Sequence, residues 1–132
     1  MWYKARNPHS YSNESPKFWK SNTGIGFRWE RYAAKLLNAR HIEFNKNGAD
    51  LDWNGKKVDV KVANPFRRKD IKGASAVWVF NRGKPKAMDF FFCIALEKNA
   101  PIKTLLIPST KFPAKGIVIG KKSKYDMYGL AG

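Results

Sequence analysis

The apolar and polar positions divide the chain into one segment of helical period followed by a series of strand-like segments. From about Thr23 to Arg40, Ile25, Trp29, Tyr32, Ala33, Leu36 and Leu37 recur on one stripe at a period of about 3.6, with Arg28, Arg31 and Lys35 opposite. The pattern predicts one long amphipathic helix whose apolar stripe covers a sheet. Glu30 belongs to neither face and sits at the stripe's margin, beside Leu37 and one turn after Gly26. The small residue there predicts close approach of another segment, and a carboxylate so placed either pairs with an arginine or serves a site.

His41 to Phe44 reads as a short strand leading into the segment Asn47 to Asn64. At its centre Asn54-Gly55 is flanked by Leu51-Asp52-Trp53 and by Lys56-Lys57-Val58-Asp59-Val60-Lys61-Val62, the pattern of a β-hairpin with a two-residue turn. Counting outward from Trp53 opposite Lys56 places Asp52 opposite Lys57, Leu51 opposite Val58 and Asp50 opposite Asp59. Side chains alternate across a strand, so Asp50, Asp52, Lys57, Asp59 and Lys61 share one face and Leu51, Trp53, Val58, Val60 and Val62 the other. Two opposed aspartates have Cβ atoms about 5 Å apart and repel. Either Lys57, Lys61 and solvent screen them, or a hard divalent cation such as Mg2+ turns the repulsion into coordination. The peptide carbonyl of Val60, between Asp59 and Lys61, is then an extra ligand.

Further strands are expected near Ala76 to Asn81, Asp89 to Leu96, Ile102 to Ile107 and Gly116 to Gly120, with one helical turn at residues 108–112. Asp89-Phe90-Phe91-Phe92 reads as the start of a central strand buried on both faces. Basic segments interrupt this run: Pro65 to Gly73, Arg82 to Lys86, and a tail with Lys121, Lys122 and Lys124. Residues 1–22 mix basic and aromatic side chains without a period and read as an N-terminal arm, leaving residues 23–132 as a single domain. A helix followed by strands implies an α+β or mixed α/β fold with the helix on the sheet.

Charge narrows the partner. With 26 Lys plus Arg against 10 Asp plus Glu, the net charge is +16, which points to a polyanion, and the 14% aromatic content favours nucleic acid. The longest apolar run falls far short of the ~20 residues of a membrane helix, and the first ten residues carry no signal-peptide core. A soluble, intracellular protein without a membrane partner is expected. The single cysteine, Cys93, lies in an apolar run and reads as a small buried hydrophobe. His9 and His41 stand in dissimilar contexts and support neither a zinc site nor a general base, and serine triads, phosphate-binding glycine loops and CxxC pairs are missing. Carboxylates and lysine remain, the groups that metal-assisted phosphodiester cleavage uses.

Asp50, followed nine positions on by Asp59-Val60-Lys61, resembles the PD-(D/E)XK nuclease signature, and Gly26-Phe27-Arg28-Trp29-Glu30 resembles the GxxxE helix that precedes it in Holliday-junction resolvases. The resemblance covers about residues 24 to 64. Ala49 replaces the motif's proline, Asp59 stands where Glu is commoner, and Asp52 competes with Asp50 as the first acid. Asp50 is preferred because the count sets it opposite Asp59, whereas Asp52 meets Lys57. The resemblance implies a restriction-endonuclease-like αβββαβ core with extra C-terminal strands. It also implies metal ligation by Asp50 and Asp59, Lys61 as the catalytic lysine, and Glu30 as an auxiliary ligand or water-orienting group. Mg2+ is the expected cofactor, with Mn2+ able to substitute. Arg28, Arg31, Lys57, Arg67, Arg68, Lys69 and Lys72 are the expected contacts to DNA phosphates. The substrate is branched DNA cut by a resolvase-like homodimer, or a duplex site of the kind that intron- or phage-encoded endonucleases recognise. The alternative is a basic nucleic-acid-binding module without catalysis, in which the hairpin acids are a solvated face.

Overall fold

The computed structural model describes residues 22–42, 49–83 and 87–130. The expected arm at residues 1–22 lies outside these, as do Glu43, Phe44 and the Lys84-Pro85-Lys86 part of the basic loop; of the arm only Asn22 is described, and it already belongs to the helix. Helix α1 spans Asn22–Leu37. Its stripe is used as the period predicts: Trp29, Ala33 and Ala34 are buried, with Tyr32, Leu36 and Leu37 packed around them, against Leu51, Val58, Phe92, Ile94 and Leu96. Arg28 and Lys35 are exposed, whereas Arg31 is half-buried, in contrast to the wet position expected for it. The helix stops three residues short of Arg40 because Asn38 turns left-handed (φ 55°), a conformation asparagine tolerates at a helix end. Among the described residues, no segment packs closely on Gly26. A Cβ built on it meets Glu30 Oε2 at 3.8 Å, an ordinary contact.

Strands β1 (Arg40–His41), β2 (Leu51–Trp53), β3 (Lys56–Ala63), β5 (Phe90–Glu97) and β6 (Ala100–Pro108) form one sheet in the order β1-β2-β3-β5-β6. It is mixed, because β3 and β5 run parallel while the other neighbours are antiparallel. The hairpin turn has Asn54 at φ 54° and Gly55 at φ 85°, the doubly positive geometry that makes Asn-Gly so strong a signal. The parallel pairing requires a crossover, and residues 64–89 provide it without a helix among the described residues. They carry instead strand β4 (Trp78–Phe80), which pairs with β7 (Ile117–Ile119) in a separate two-stranded ribbon. The second helix of an αβββαβ order is therefore not seen among the described residues of this crossover, which holds strand β4 instead. Among the described residues, no helix is long and apolar enough to cross a membrane.

The sheet thus has two covered faces. One packs on α1. The other packs on the ribbon through Phe91, Cys93, Ala95, Leu105 and Ile107 against Trp78, Phe80, Phe112, Ile117 and Ile119. As expected, β5 is buried on both faces over Phe91 to Leu96. Trp78 Nε1 donates to the Leu96 carbonyl at 2.8 Å, tying ribbon to sheet inside the core. Gly116 holds φ 85°, and a Cβ there would collide with the Phe80 carbonyl oxygen. Gly116→Ala is expected to destabilise by about 2–3 kcal/mol through strain and that collision. A melting temperature within 1 °C of wild type would contradict this close approach.

Candidate active site

The hairpin register holds from Trp53↔Lys56 through Leu51↔Val58 and then breaks. Asp50 does not pair opposite Asp59. Its amide donates to the Val58 carbonyl at 2.9 Å, so Asp50 and Leu51 both face Val58, as in a β-bulge. The bulge turns the Asp50 side chain in toward β3, where Oδ2 accepts the Val60 amide at 2.8 Å. The counted pairing was wrong at this one position, yet the two carboxylates are brought together, because Asp59 lies within hydrogen-bonding reach of Asp50. A residue's N–H and C=O leave a strand on the same edge, so the Val60 carbonyl also faces the β2 side, where the regular ladder has stopped.

Burial first, then the Glu30 charge, push the Asp50 carboxyl up to about 8; Asp59 adds to the rise and the Val60 hydrogen bond opposes it. The Asp50 carboxyl in the bulge therefore has the Asp59 side chain of β3 within reach and feels the charge of Glu30 on α1. Lys61 Nζ lies 3.0 Å from Asp59 Oδ2, with both side chains mostly covered. Under them is the start of β5: Asp59 is level with Phe91 and Lys61 with Cys93. Lys61 Nζ lies 5.4 Å from the Phe91 ring centroid, and the Arg82 guanidinium lies 4.9 Å from the same centroid. Arg82 is fixed by the Ser109 and Phe112 carbonyls, which accept from its Nη1. Cys93 is fully buried and its thiol is held far above the ordinary range by that burial, in keeping with an inert core residue. It is not remote from polar groups, however, since it lies beside Lys61 on the neighbouring strand and feels the charges of Lys61 and Asp59.

His41 was not expected here. β1 lies antiparallel to β2 with His41 opposite Leu51, and its Nε2 meets Glu30 Oε1 at 2.7 Å while its ring stands edge-on to Phe27. The imidazole thus fixes the carboxylate that faces Asp50. A weak signal existed: Arg40 and His41 lie where a third strand would flank the hairpin, but the partner residue is 11 positions away on the helix. If the cluster serves metal-assisted hydrolysis, His41→Ala is expected to lower turnover about 10- to 100-fold, the usual loss when a supporting hydrogen bond to a metal-site carboxylate goes. His41→Gln, which can still donate, should recover most of it; equal loss in both variants would contradict this positioning role.

Asp52 belongs to the turn and not to the cluster. Its Oδ2 takes the Arg40 guanidinium at 2.9 Å and its Oδ1 the Gly55 amide at 2.8 Å, and these bonds, Arg40's first, hold its carboxyl below the usual range. Of the expected phosphate contacts, Arg28, Lys57, Arg67, Arg68, Lys69 and Lys72 are exposed and Arg31 is half-buried. Arg68 forms a two-pronged pair with Asp70 (3.1 and 2.6 Å), which offsets part of its charge. The Lys57 backbone amide donates to Asp89 Oδ2 at 2.8 Å, anchoring the start of β3 to β5 and leaving the Lys57 side chain outward.

The donor set consists of hard oxygens crowded against one another, which suits Mg2+ and not a thiophilic metal. Among the described residues, no three His, Cys, Asp or Glu side chains stand in ligating geometry as they are. Each acid instead has one oxygen engaged: Glu30 by His41, Asp50 by the Val60 amide, Asp59 by Lys61. No protein-family model matches the chain, and no curated protein matches its sequence.

Proposed function

We propose that the protein is a Mg2+-dependent endodeoxyribonuclease that hydrolyses phosphodiester bonds, selective for branched DNA. One observation carries the reading: the bulge brings the Asp50 carboxyl within reach of Asp59, which pairs with Lys61 at 3.0 Å, in a half-buried position where burial and the Glu30 charge raise the Asp50 carboxyl to about 8. Carboxyls perturbed in this way concentrate at functional sites. Asp50, Asp59 and the Val60 carbonyl would hold the ion, which supplies an activated water and neutralises charge on the cleaved phosphate. Lys61 is placed to stabilise the phosphorane-like charge, and Glu30, steadied by His41, to orient the attacking water. The exposed cations of the 64–73 loop, which continues directly from the strand bearing Asp59 and Lys61, are placed to hold flanking phosphates.

A second reading draws on the engaged carboxylates. If Glu30, Asp50 and Asp59 are satisfied by His41, Val60 and Lys61, the protein is a basic DNA-binding module with a paired acidic cluster and no cleavage. Incubating the protein with four-way junction, linear duplex, supercoiled plasmid and single strand, each with and without Mg2+, separates the two. Symmetric nicking of the junction in Mg2+ alone is the expected result. Binding without cleavage of any form would establish the module, and cleavage of the duplex in preference to the junction would end the branched-DNA assignment.

A further inference from the structure

We propose that the cleft lined by Lys111, Lys124, Tyr125, Met127 and Tyr128 is a subsite for one unpaired nucleotide of the DNA substrate, with the base on Tyr128 and Met127 and the phosphate on the two lysines. This inference rests on the DNA reading of the main site. The cleft has a volume of about 230 Å³, below the roughly 300–1,000 Å³ of pockets for drug-sized ligands, so it suits a single ring system. Its walls combine an apolar side chain with cations. Met127 is 78% exposed, the most exposed large apolar side chain among the described residues, and it stands beside two exposed lysines. An apolar aromatic floor with cations at its rim matches a nucleotide: every base has a face to stack, and its phosphate is anionic.

The platform is built to stay in place. The 3-10 turn Lys124–Tyr128 starts with a reciprocal cap, in which the Ser123 hydroxyl and the Asp126 carboxylate each bond the other's end of the turn. Lys103 Nζ binds Asp126 Oδ1 at 2.7 Å, offsetting the one carboxylate next to the cleft. Tyr125 is buried in the core and Tyr128 packs against it. Lys124 Nζ lies 5.3 Å from the Tyr125 ring centroid, which sets the ammonium at the cleft's edge.

The cleft also lies on the catalytic side of the sheet. Lys111 precedes Phe112, whose ring lies 4.6 Å from that of Phe91, and Phe91 is the ring beside Lys61. In the sheet, β6, on which the Lys124–Tyr128 turn packs, is two strands from β3, about 10 Å. A duplex keeps its bases paired and cannot offer one to such a cleft. The subsite would therefore favour DNA with unpaired nucleotides near the cut.

The test uses Tyr128→Leu and Met127→Ala in the full-length protein, neither of which changes charge. Fluorescence anisotropy in EDTA measures binding to an oligothymidine strand, to a duplex with a single-stranded overhang, and to a blunt duplex, with melting temperatures as the check on folding. Tyr128→Leu is expected to weaken the single strand and the overhang at least about 5-fold, the low end of what one stacked base contributes, and the blunt duplex less than 2-fold. Unchanged single-strand binding in both variants, or equal loss on all three forms, overturns the subsite. Wild-type protein that binds none of the three overturns the DNA reading itself, whereas wild type that binds and cleaves while the variants match it on single strands overturns the subsite alone.

Discussion

Asp50→Asn is expected to make the metal-free protein more stable and, on the nuclease reading, inactive. The amide keeps an oxygen for the Val60 N–H and gains a donor for Asp59 or Glu30, while removing the charge that burial and Glu30 oppose. The sign of the pH dependence follows from the direction of the shift. A carboxyl raised from 3.8 to about 8 binds more protons folded than unfolded between those values, so its contribution to stability is greatest below about pH 4 and is lost as pH rises through about 8. Allowing for solvent access to a partly exposed site, the loss is on the order of 2–4 kcal/mol. In EDTA, Asp50→Asn should therefore melt about 5–10 °C above wild type at pH 8.5 and close to it at pH 4.5. Mg2+ should stabilise wild type increasingly as pH rises and leave the variant unmoved, since an ion competes with the proton for the same oxygens. Cleavage by the variant should fall about 1,000-fold, equivalent to about 4 kcal/mol of barrier. A variant no more stable than wild type at pH 8.5 would mean the crowding at Asp50 is relieved in some other way.

Lys61→Met isolates the chemistry from DNA binding. Its ammonium is tied to Asp59 at 3.0 Å and largely covered, so it adds little to the outer cationic surface. Turnover is expected to drop about 100- to 1,000-fold, as when one preorganised donor to a developing anion is removed. The dissociation constant for DNA in EDTA should change less than 3-fold, and the slope of log K against log salt by no more than about 0.9, one phosphate contact. Lys61→Arg should not restore turnover, because a planar fork cannot reproduce a compact ammonium at that point. Parallel loss of binding and cleavage in Lys61→Met would place the lysine among the DNA contacts.

Local signals were the readable ones. Asn54-Gly55 specified its turn through backbone conformation alone, and the count held for three pairs, to Leu51↔Val58. It failed at Asp50 because a bulge is a backbone event that no side-chain pattern announces, although the Asp50–Asp59 meeting survived through the re-aimed side chain. The stripe on α1 was legible, and its end at Asn38 had a residue-level signal that the apolar Ala39 obscured. The crossover was not legible as a layer: β4 finds its partner β7 some 40 residues later, and a three-residue strand has too short a period to reveal that pairing. His41 and Arg82 reached the site by the same route, through contacts with Glu30 and with the 109–112 turn that lie far off in sequence. Glu30 was visible as a misfit on its helix, whereas its partner was not.

The central claim is that the acidic cluster cleaves DNA with a bound divalent ion. Its most direct test is the single-turnover rate of nicking of a plasmid or junction by wild type and Asp59→Ala, each in Mg2+ and in EDTA. The expected result is cleavage by wild type in Mg2+, none in EDTA, and none by Asp59→Ala in either, with metal-free DNA binding retained by both proteins. Cleavage by Asp59→Ala at the wild-type rate, or no cleavage of any DNA form by wild type in Mg2+ or Mn2+, would contradict it.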